Sequence, residues 1–369
     1  MIIDDLAPTR VVYPSTLEEL SEAVAAEKGS IVPVGTGTQL EFGNPLKSAD
    51  CAVSLTRLNR VTTYNPDELT IHVQAGVPIG QIQKLLSENN QALPLDPWNG
   101  SAATIGGIAA ANAQGPLRAT GSIRDWIIGM TVVHVDGHRS KTGGRVVKNV
   151  TGYDLAKLYT GSLGSLAVIA ELSFKLRPNF GKTATAVASF ARNAEVGTIL
   201  ATLRKGSLQP IACEWVGPRN ELWIRIGEHP RAVDSQLSQL PAAPWKIYVG
   251  EEESVQWETL RKFCVEMGPI VLRVIGKPTD VQSIIEDSHP DFWIAHGLNG
   301  IVLLGISNPE IVEMMRRRFP VIIERAPKDV RRQIGTFGVS GRVKQLMLDM
   351  KNSFDPERRL NPGRHIDGE

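Results

Sequence analysis

The chain has 369 residues, of which 42% are hydrophobic and 21% charged, as expected for a globular protein with its own core. Its 40 Lys and Arg residues balance 39 Asp and Glu residues, so charge favours neither nucleic acid nor an anionic membrane surface as a partner. Three widely separated cysteines argue against a disulfide framework or a cysteine-ligated cluster and fit a reducing cytosol. No apolar run reaches the ~20 residues of a membrane span, and no secretory signal is visible, so we expect about two cytoplasmic domains.

The first half of the chain predicts strands and helices separated by polar turns or glycines. Ser15 or Thr16 stands before two glutamates, as at a helix N-cap, and apolar residues then recur at helical spacing until Gly29. The predicted strands are Arg10–Tyr13, Ile31–Val34, Ala52–Leu55, Val61–Tyr64, Thr70–Gln74, Ile127–Asp136 and Val168–Leu176. Further helices are predicted at Ile79–Glu88 and Gly152–Tyr159.

From about residue 180 strand-like and helical runs alternate, which is typical of a sheet covered by helices. The predicted strands are Ala184–Phe190, Leu222–Ile226, Lys246–Val249, Ile270–Ile275, Gly300–Ile306 and Val321–Glu324. The predicted helices are Glu195–Leu203, Ala232–Leu240, Ser254–Glu266, Thr279–Asp287, Pro309–Arg318 and the amphipathic Gly341–Phe354.

A glycine and threonine loop, Gly35-Thr36-Gly37-Thr38, directly follows the second predicted strand. Backbone N–H groups and hydroxyls in such a loop can converge on an anion, and a diphosphate needs donors of this kind. Leu40 stands where a G-x-G-x-x-G fingerprint requires glycine, and no Walker A sequence follows. A phosphate-binding loop and a plain glycine turn therefore both stay open.

Residues 102–115 are nearly all small and include the run Thr104-Ile105-Gly106-Gly107. They predict either a tightly packed Ala/Gly helix or a helix start that lies against a flat ligand and offers N–H groups to phosphate. Gly121-Ser122-Ile123-Arg124-Asp125 then adds charged groups beside this surface.

A third segment, 143–171, carries two glycine clusters around a short predicted helix. Arg145 and Lys148 lie between the clusters, although such side chains are more often solvated surface charges than ligands. The strand Val168–Glu171 can present backbone N–H and C=O groups to the edge of an adenine.

Together these segments resemble the FAD-binding domain of the vanillyl-alcohol oxidase / p-cresol methylhydroxylase family. The resemblance lies in the order P-x-G-x-G-T, then T-I-G-G with G-S-x-R-D, then V-K-N-V-T-G-Y-D-L and G-S-L-G-S-L-A-V-I-x-E. Within the family the sequence is similar to the FAD-binding subunits of bacterial glycolate oxidases, through Gly115-Pro116-x-Arg118, Arg124-Asp125 and 148–154. The tail, with Leu360-Asn361-Pro362-Gly363-Arg364, is similar to the family's returning C-terminal segment.

The resemblance implies an α+β fold with a two-part FAD-binding domain of this family's type and an α+β cap domain. It implies an FAD-binding domain at 1–178, a cap at 179–338 and a returning segment at 339–369. Many members attach FAD through His or Cys, whereas Asn112 and Gln114 stand in the small-residue run here, so we expect non-covalent FAD. The implied FAD contacts are Pro33, Val34, Gly35, Thr36, Gly37, Thr38, Gln39, Thr104, Ile105, Gly106 and Gly107 around the diphosphate, Ala111, Asn112 and Gly115 near the isoalloxazine, Ser122 and Asp125, Val168 and Ile169 at the adenine, and Asn361 on the flavin side.

Oxidation of a 2-hydroxy acid needs a base for the hydroxyl proton and a cation for the carboxylate, besides the flavin. Related dehydrogenases carry a cap stretch H-x-G-D-G-N-x-H that can hold a divalent metal, whereas this chain has only Ala295–Gly300 with a single histidine. We therefore expect no metal, and we take Arg273 and His296 as the candidate catalytic residues that face the flavin. A structural role is the more frequent one for each residue type.

The expected function is that of an FAD-dependent oxidoreductase acting on CH–OH donors, as the FAD-binding subunit of a glycolate oxidase complex that converts glycolate to glyoxylate. The resemblance implies a second flavin subunit that does the main substrate chemistry and an iron–sulfur subunit that receives electrons. The chain would be cytoplasmic, or held at the inner membrane through these partners without a span of its own.

Two alternatives stay open. One is a self-sufficient FAD-dependent oxidase or dehydrogenase acting on another hydroxylated substrate. The other is a structural or regulatory module that has lost FAD, against which the retained glycines at 106 and 107 argue.

Overall fold

The computed structural model describes residues 1–144 and 154–365. The chain forms two compact units, of which unit 1 comprises Met1–Gln114, Gly121–Asn179 and Arg331–Glu369, and unit 2 comprises Gly115–Thr120 and Phe180–Val330. The sequence predicted domain boundaries after residues 178 and 338 and left 115–120 in the first domain. In the structure that six-residue segment clusters with unit 2, and the return to unit 1 comes at Arg331.

The elements up to residue 179 mostly follow the predicted order. They are β1 (Arg10–Val12), α1 (Leu17–Ala26), β2 (Ile31–Val34), β3 (Cys51–Ser54), β4 (Val61–Asn65), β5 (Thr70–Gln74), α2 (Ile79–Ser87), β6 (Gln91–Ala92), α3 (Ile105–Ala111), α4 (Ile123–Trp126), β7 (Ile127–Val133), β8 (Arg139–Gly143), α5 (Ala156–Tyr159), β9 (Val168–Lys175) and β10 (Arg177–Pro178). Short 3₁₀ helices occupy Leu55–Arg57 and Pro116–Thr120. The predicted helix 152–159 is described only from residue 154 onward.

Two sheets build the first part of unit 1. A parallel sheet has the order β1-β3-β2, and an antiparallel sheet has the order β4-β5-β9-β7-β8. Helix α1 joins β1 to β2, and the Thr16 hydroxyl caps it by accepting a hydrogen bond from Glu19 N at 3.1 Å. The apolar face of α1 is buried through Leu20 and Val24, which confirms the predicted helical spacing.

Unit 2 is a long antiparallel sheet with helices. Its elements are β11 (Lys182–Ser189), α6 (Asn193–Lys205), β12 (Ala212–Gly217), β13 (Glu221–Glu228), α7 (Pro230–Ser238), β14 (Lys246–Val249), α8 (Gly250–Val265), β15 (Ile270–Ile275), α9 (Val281–Ser288), β16 (Phe292–His296), β17 (Ile301–Ile306), α10 (Glu310–Arg316) and β18 (Val321–Arg325). The strand order is β14-β11-β13-β12-β16-β17-β15-β18.

The sequence did not predict β12 and β16, which pair with each other near the middle of this sheet. Glu214 interrupts the apolar run of β12, and β16 is only five residues long, so neither gives a clear period-two pattern.

The chain then returns to unit 1 through α11 (Lys328–Ile334) and α12 (Gly341–Phe354). After α12 the chain runs beside β2, where Ile31 N donates to Arg359 O at 2.7 Å and Asn361 N donates to Ile31 O at 2.9 Å. The fully buried ammonium of Lys351 donates to Ser165 O, Asp355 Oδ2 and Leu360 O at 2.9, 2.9 and 2.8 Å. The tail is therefore an integral part of unit 1.

No helix within residues 1–144 or 154–365 is both long and apolar enough to cross a lipid bilayer.

Candidate functional site

Unit 1 contains an open cleft of about 690 Å³, including the solvent at its mouth. Its walls come from the end of β2, the start and end of α3, and the tail after α12. The predicted FAD contacts that line it are Pro33, Val34, Gly35, Thr36, Gly37, Thr38, Gln39, Thr104, Gly107, Ala111 and Asn361. Residues that the sequence placed far apart are thus brought together around one cavity.

The loop after β2 is held in shape by contacts to the chain before α3. Thr36 Oγ1 donates to Ala102 O at 2.7 Å, and Asn99 Nδ2 donates to Thr38 O at 2.9 Å. A Cβ at Gly35 would lie 2.0 Å from Thr104 Oγ1, so glycine is required for this approach. Gly37 has φ +80°, a left-handed conformation that side chains disfavour.

The two consecutive glycines of α3 have different surroundings. A Cβ at Gly106 would lie 2.6 Å from Ala75 Cβ, so this glycine permits close packing of α3 on the chain after β5. Gly107 is exposed on the cleft wall, and the nearest atom to a Cβ there would be Thr104 Oγ1 at 3.1 Å. Gly106 therefore serves packing, whereas Gly107 keeps the cleft free of a side chain.

Three amide side chains of unit 1 have buried carbonyl oxygens without a hydrogen-bond partner among the described residues: Asn112 Oδ1, Gln114 Oε1 and Asn361 Oδ1. Their amino groups are in part engaged, since Asn361 Nδ2 donates to Leu163 O and Gln114 Nε2 to Gly121 O, both at 2.6 Å. Of these three residues only Asn361 lines the cleft, and its buried acceptor fits a ligand that carries N–H groups. FAD carries such groups on its isoalloxazine and adenine rings, and its diphosphate suits the hydroxyl and N–H donors of the loop after β2.

Some predicted contacts are not among the residues that line the cleft. Ile105, Gly106 and Asn112 belong to α3 or its C-terminal cap without lining the cleft, and Gly115 clusters with unit 2. Asp125 Oδ2 accepts from Ser122 N and Oγ at 2.8 and 2.7 Å, which caps α4 and lowers the pKa of Asp125.

Val168 and Ile169 are buried opposite β7, beyond the point where β9 pairs with β5. Their adenine contact therefore remains a prediction. Arg145 and Lys148 lie outside the described residues.

Sequence reasoning missed several cleft residues, among them Asn99, Leu163 and Arg364. Asn99 lies in none of the recognised motifs, and Leu163 belongs to the motif 161–171, where the sequence did not indicate that its side chain lines the cleft. Arg364 belongs to the recognised tail motif, but nothing in the sequence indicated its charge environment.

In unit 2, strand register places the two candidate catalytic residues on one face of the sheet. His296 is the last residue of β16 and lies opposite Ile301 of β17, while Arg273 of β15 lies opposite Leu303. Ile301 and Leu303 are two residues apart, so their partners share a face. Glu214 of β12, directly opposite His296, belongs to the same face and was not predicted.

Glu214 and His296 form a buried pair, with side chains 1% and 3% exposed and 2.8 Å between Oε1 and Nδ1. Burial raises the pKa of Glu214 well above its ordinary 4.5, although the positive charge of Arg118 opposes this shift. Burial, with the positive charges of Arg118 and Arg273, lowers the pKa of His296 to about 3. Both shifts favour the uncharged forms, and a pKa of about 3 keeps the imidazole of His296 neutral at pH 7.

Arg273 forms an ion pair with Glu324 of the neighbouring strand β18, and both side chains are mostly buried. Arg118 lies in the 3₁₀ helix of unit 2 that packs against β12. Arg118 and Arg273 thus lie close enough to the imidazole of His296 to lower its pKa. This part of unit 2 offers both cationic groups and a group that can accept a proton.

Comparison with known proteins agrees with these features. A model of the FAD binding domain matches residues 8–143. The chain is 31% identical over 250 residues to glycolate oxidase subunit GlcE of Escherichia coli strain K12, covering 67% of each chain. It is 23% identical over 432 residues to D-2-hydroxyglutarate dehydrogenase of Xanthomonas citri pv. viticola, covering 97% of this chain and 89% of that protein.

The fold is also that of a solved structure. Alkyldihydroxyacetonephosphate synthase matches with a TM-score of 0.65 at 16% identity, covering 95% of this chain and 76% of that one. The predicted α+β class and the predicted cofactor FAD are confirmed. The chain belongs to the vanillyl-alcohol oxidase / p-cresol methylhydroxylase family of FAD-dependent oxidoreductases.

Proposed function

We propose that this chain is the FAD-binding subunit of a glycolate oxidase complex and takes part in the oxidation of glycolate to glyoxylate. The observation that carries the proposal is the 31% identity to glycolate oxidase subunit GlcE over 250 residues. The coarser activity is that of an FAD-dependent oxidoreductase acting on CH–OH donors.

The cleft of unit 1 is the proposed FAD site. Backbone N–H groups of the loop after β2 and the hydroxyl of Thr38 would donate to the diphosphate, and Gly107 would keep its path open. Asn361 would accept from the ligand through Oδ1. Bound FAD would take up the two electrons and the hydrogen removed from the CH–OH carbon.

Arg273 and His296 are the proposed catalytic residues. A 2-hydroxy acid brings a carboxylate, which Arg273 would bind, and a hydroxyl proton, which the neutral imidazole of His296 would accept. A pKa of about 3 makes His296 a weak base, but a substrate carboxylate would offset the positive charges that help to lower it. Glu214, bonded to Nδ1, would hold the ring in place.

The proposed partners are a second flavin subunit, which does the main substrate chemistry, and an iron–sulfur subunit, which receives the electrons. The three cysteines of these 369 residues are buried and unpaired, and they are fewer than the four that usually hold an iron–sulfur cluster. We propose a cytoplasmic protein that reaches the inner membrane only through these partners.

A second candidate function is that of a self-sufficient dehydrogenase acting on another 2-hydroxy acid. It is favoured by the match to D-2-hydroxyglutarate dehydrogenase, which runs over 97% of this chain and so includes unit 2.

A steady-state assay separates the two candidates. The purified chain is loaded with FAD and tested with glycolate, D-lactate and D-2-hydroxyglutarate and an artificial acceptor, alone and after co-expression with candidate flavin and iron–sulfur subunits. We expect bound FAD but little turnover alone, and glycolate-dependent turnover in the complex. Enzyme-like turnover by the chain alone would favour the second candidate.

A visible absorption spectrum before and after acid precipitation tests the cofactor. Flavin bands that move to the supernatant would indicate non-covalent FAD. A folded chain that takes up no FAD even from excess would overturn both candidates and leave a module without cofactor.

A further inference from the structure

A buried charge cluster in unit 1 adjoins the cleft. Asp4 accepts from two arginines at once, with Arg331 Nη2 at 2.9 Å from Oδ1 and Arg364 Nη1 at 2.8 Å from Oδ2. All three residues are buried, with 8% of Asp4, 3% of Arg331 and 4% of Arg364 exposed. One carboxylate therefore faces two guanidinium groups.

Burial and the neighbouring carboxylates act on the pKa of Arg364 in opposite directions. Burial lowers the pKa of Arg364, Asp4 and Glu41 raise it, and the charge of Arg331 lowers it further. Glu41 is exposed, so water screens its charge. A buried cation without its own counter-ion is costly, which favours an anion nearby.

The two arginines also differ in what they line. Arg364 lies on the wall of the cleft, whereas Arg331 is not among the lining residues. Arg364 uses Nη1 for Asp4 and for Asn44 O at 3.2 Å, so among the described residues its Nε and Nη2 donors are left for a ligand. The only anionic part of FAD at neutral pH is its diphosphate.

We infer that Arg364 supplies the positive charge that binds the FAD diphosphate in the cleft, an inference that rests on the proposed FAD site. Asp4 holds the guanidinium in place through Nη1, so Nε and Nη2 of Arg364 remain to bind the phosphate oxygens.

Replacing each arginine in turn tests this role. Arg364→Gln and Arg331→Gln both remove one partner of Asp4, but only the first removes a charge from the cleft wall. FAD affinity is measured by quenching of flavin fluorescence on titration of the apoprotein, at low and at high salt. We expect Arg364→Gln to raise the Kd for FAD about 10- to 100-fold and to weaken its dependence on salt. Arg331→Gln should stay within about threefold of the unaltered chain.

Two further variants cover the possibility that Arg364→Gln does not fold, which circular dichroism checks. Arg364→Lys keeps the charge and should retain most of the affinity, within about tenfold. Asp4→Asn keeps one side-chain oxygen that can accept from Arg364 and removes a negative charge beside it, so FAD should bind as tightly or more tightly.

Equal FAD affinity in the Arg364→Gln variant, equal losses in both glutamine variants, or weaker binding in Asp4→Asn would overturn the inference. These results are distinct from failure of the proposed function. If the unaltered chain binds FAD but never supports glycolate oxidation in the complex, the function fails and the Arg364 role stands. If it binds no FAD, both fail.

Discussion

The two candidate sites of this protein are built in opposite ways. The cleft of unit 1 is open, and it is shaped by backbone, hydroxyls and glycines such as Gly35 and Gly107. The pair of unit 2 is closed, and it consists of two ionisable side chains that burial keeps uncharged.

The difference concerns how each site tolerates change. The cleft is open because its glycines carry no side chain, so a side chain added at one of them should block the ligand without disturbing the fold. In the buried pair each side chain is the hydrogen-bond partner of the other. Replacing one of them should therefore first change the free energy of unfolding and its dependence on pH.

The largest effect is expected at Gly107. Gly107→Asp places a negative side chain in the cleft, where it would obstruct FAD and repel the diphosphate, so binding should fall by more than about 100-fold. The fold should persist, because a Cβ at this exposed position meets only Thr104 Oγ1 at 3.1 Å. Titration with FAD and circular dichroism measure the two properties.

Gly107→Asn is the matched control, since it has the same size without the charge. A smaller loss for Asn than for Asp would separate repulsion from obstruction. Retained FAD binding in both variants would mean that the cleft is not the phosphate site.

The next effect concerns the tail. Lys351→Met removes the buried ammonium that Asp355, Ser165 O and Leu360 O accept from, and it leaves the Asp355 carboxylate without its cation. We expect a loss of about 3–5 kcal/mol in the free energy of unfolding, measured by urea denaturation. The double variant Lys351→Met with Asp355→Asn should recover part of it, and a single variant as stable as the unaltered chain would contradict the proposed importance of this contact.

The smallest effect is a change in the pH dependence of stability through Glu214. Burial raises the pKa of Glu214, so its protonated form contributes stability that is present below pH 4.5 and is lost as pH rises through the raised pKa. Burial lowers the pKa of His296 to about 3, so its neutral form contributes stability that is present above pH 6.5 and is lost as pH falls from 6.5 to about 3.

Glu214→Gln should remove the loss of stability that comes from Glu214 as pH rises, and it should leave the loss between pH 6.5 and about 3 that comes from His296. Urea unfolding across this pH range measures both losses. Glu228→Gln, at an exposed position on β13, is the control and should follow the unaltered chain. An unchanged loss of stability with rising pH in Glu214→Gln would mean that Glu214 is already ionised in the folded state.

The sequence predicted the cleft better than the pair for a physical reason. Glycine loops and small-residue runs are local patterns, so Gly35, Thr104 and Gly107 could be identified from their neighbours in the chain. His296 was also identified, but its partner Glu214 lies 82 positions away and meets it only through the pairing of β12 with β16. Contacts set by strand register are invisible when the strands themselves give no clear alternation.

The tail beside β2 has a consequence for how the protein is made. Asn361 and Arg364 line the cleft, yet they follow the whole of unit 2 in the chain. During synthesis the ribosome therefore completes residues 180–330 of unit 2 before it adds Asn361 and Arg364, which line the cleft. The cleft, which is the proposed FAD site, can therefore be completed only after residue 364 has left the exit tunnel.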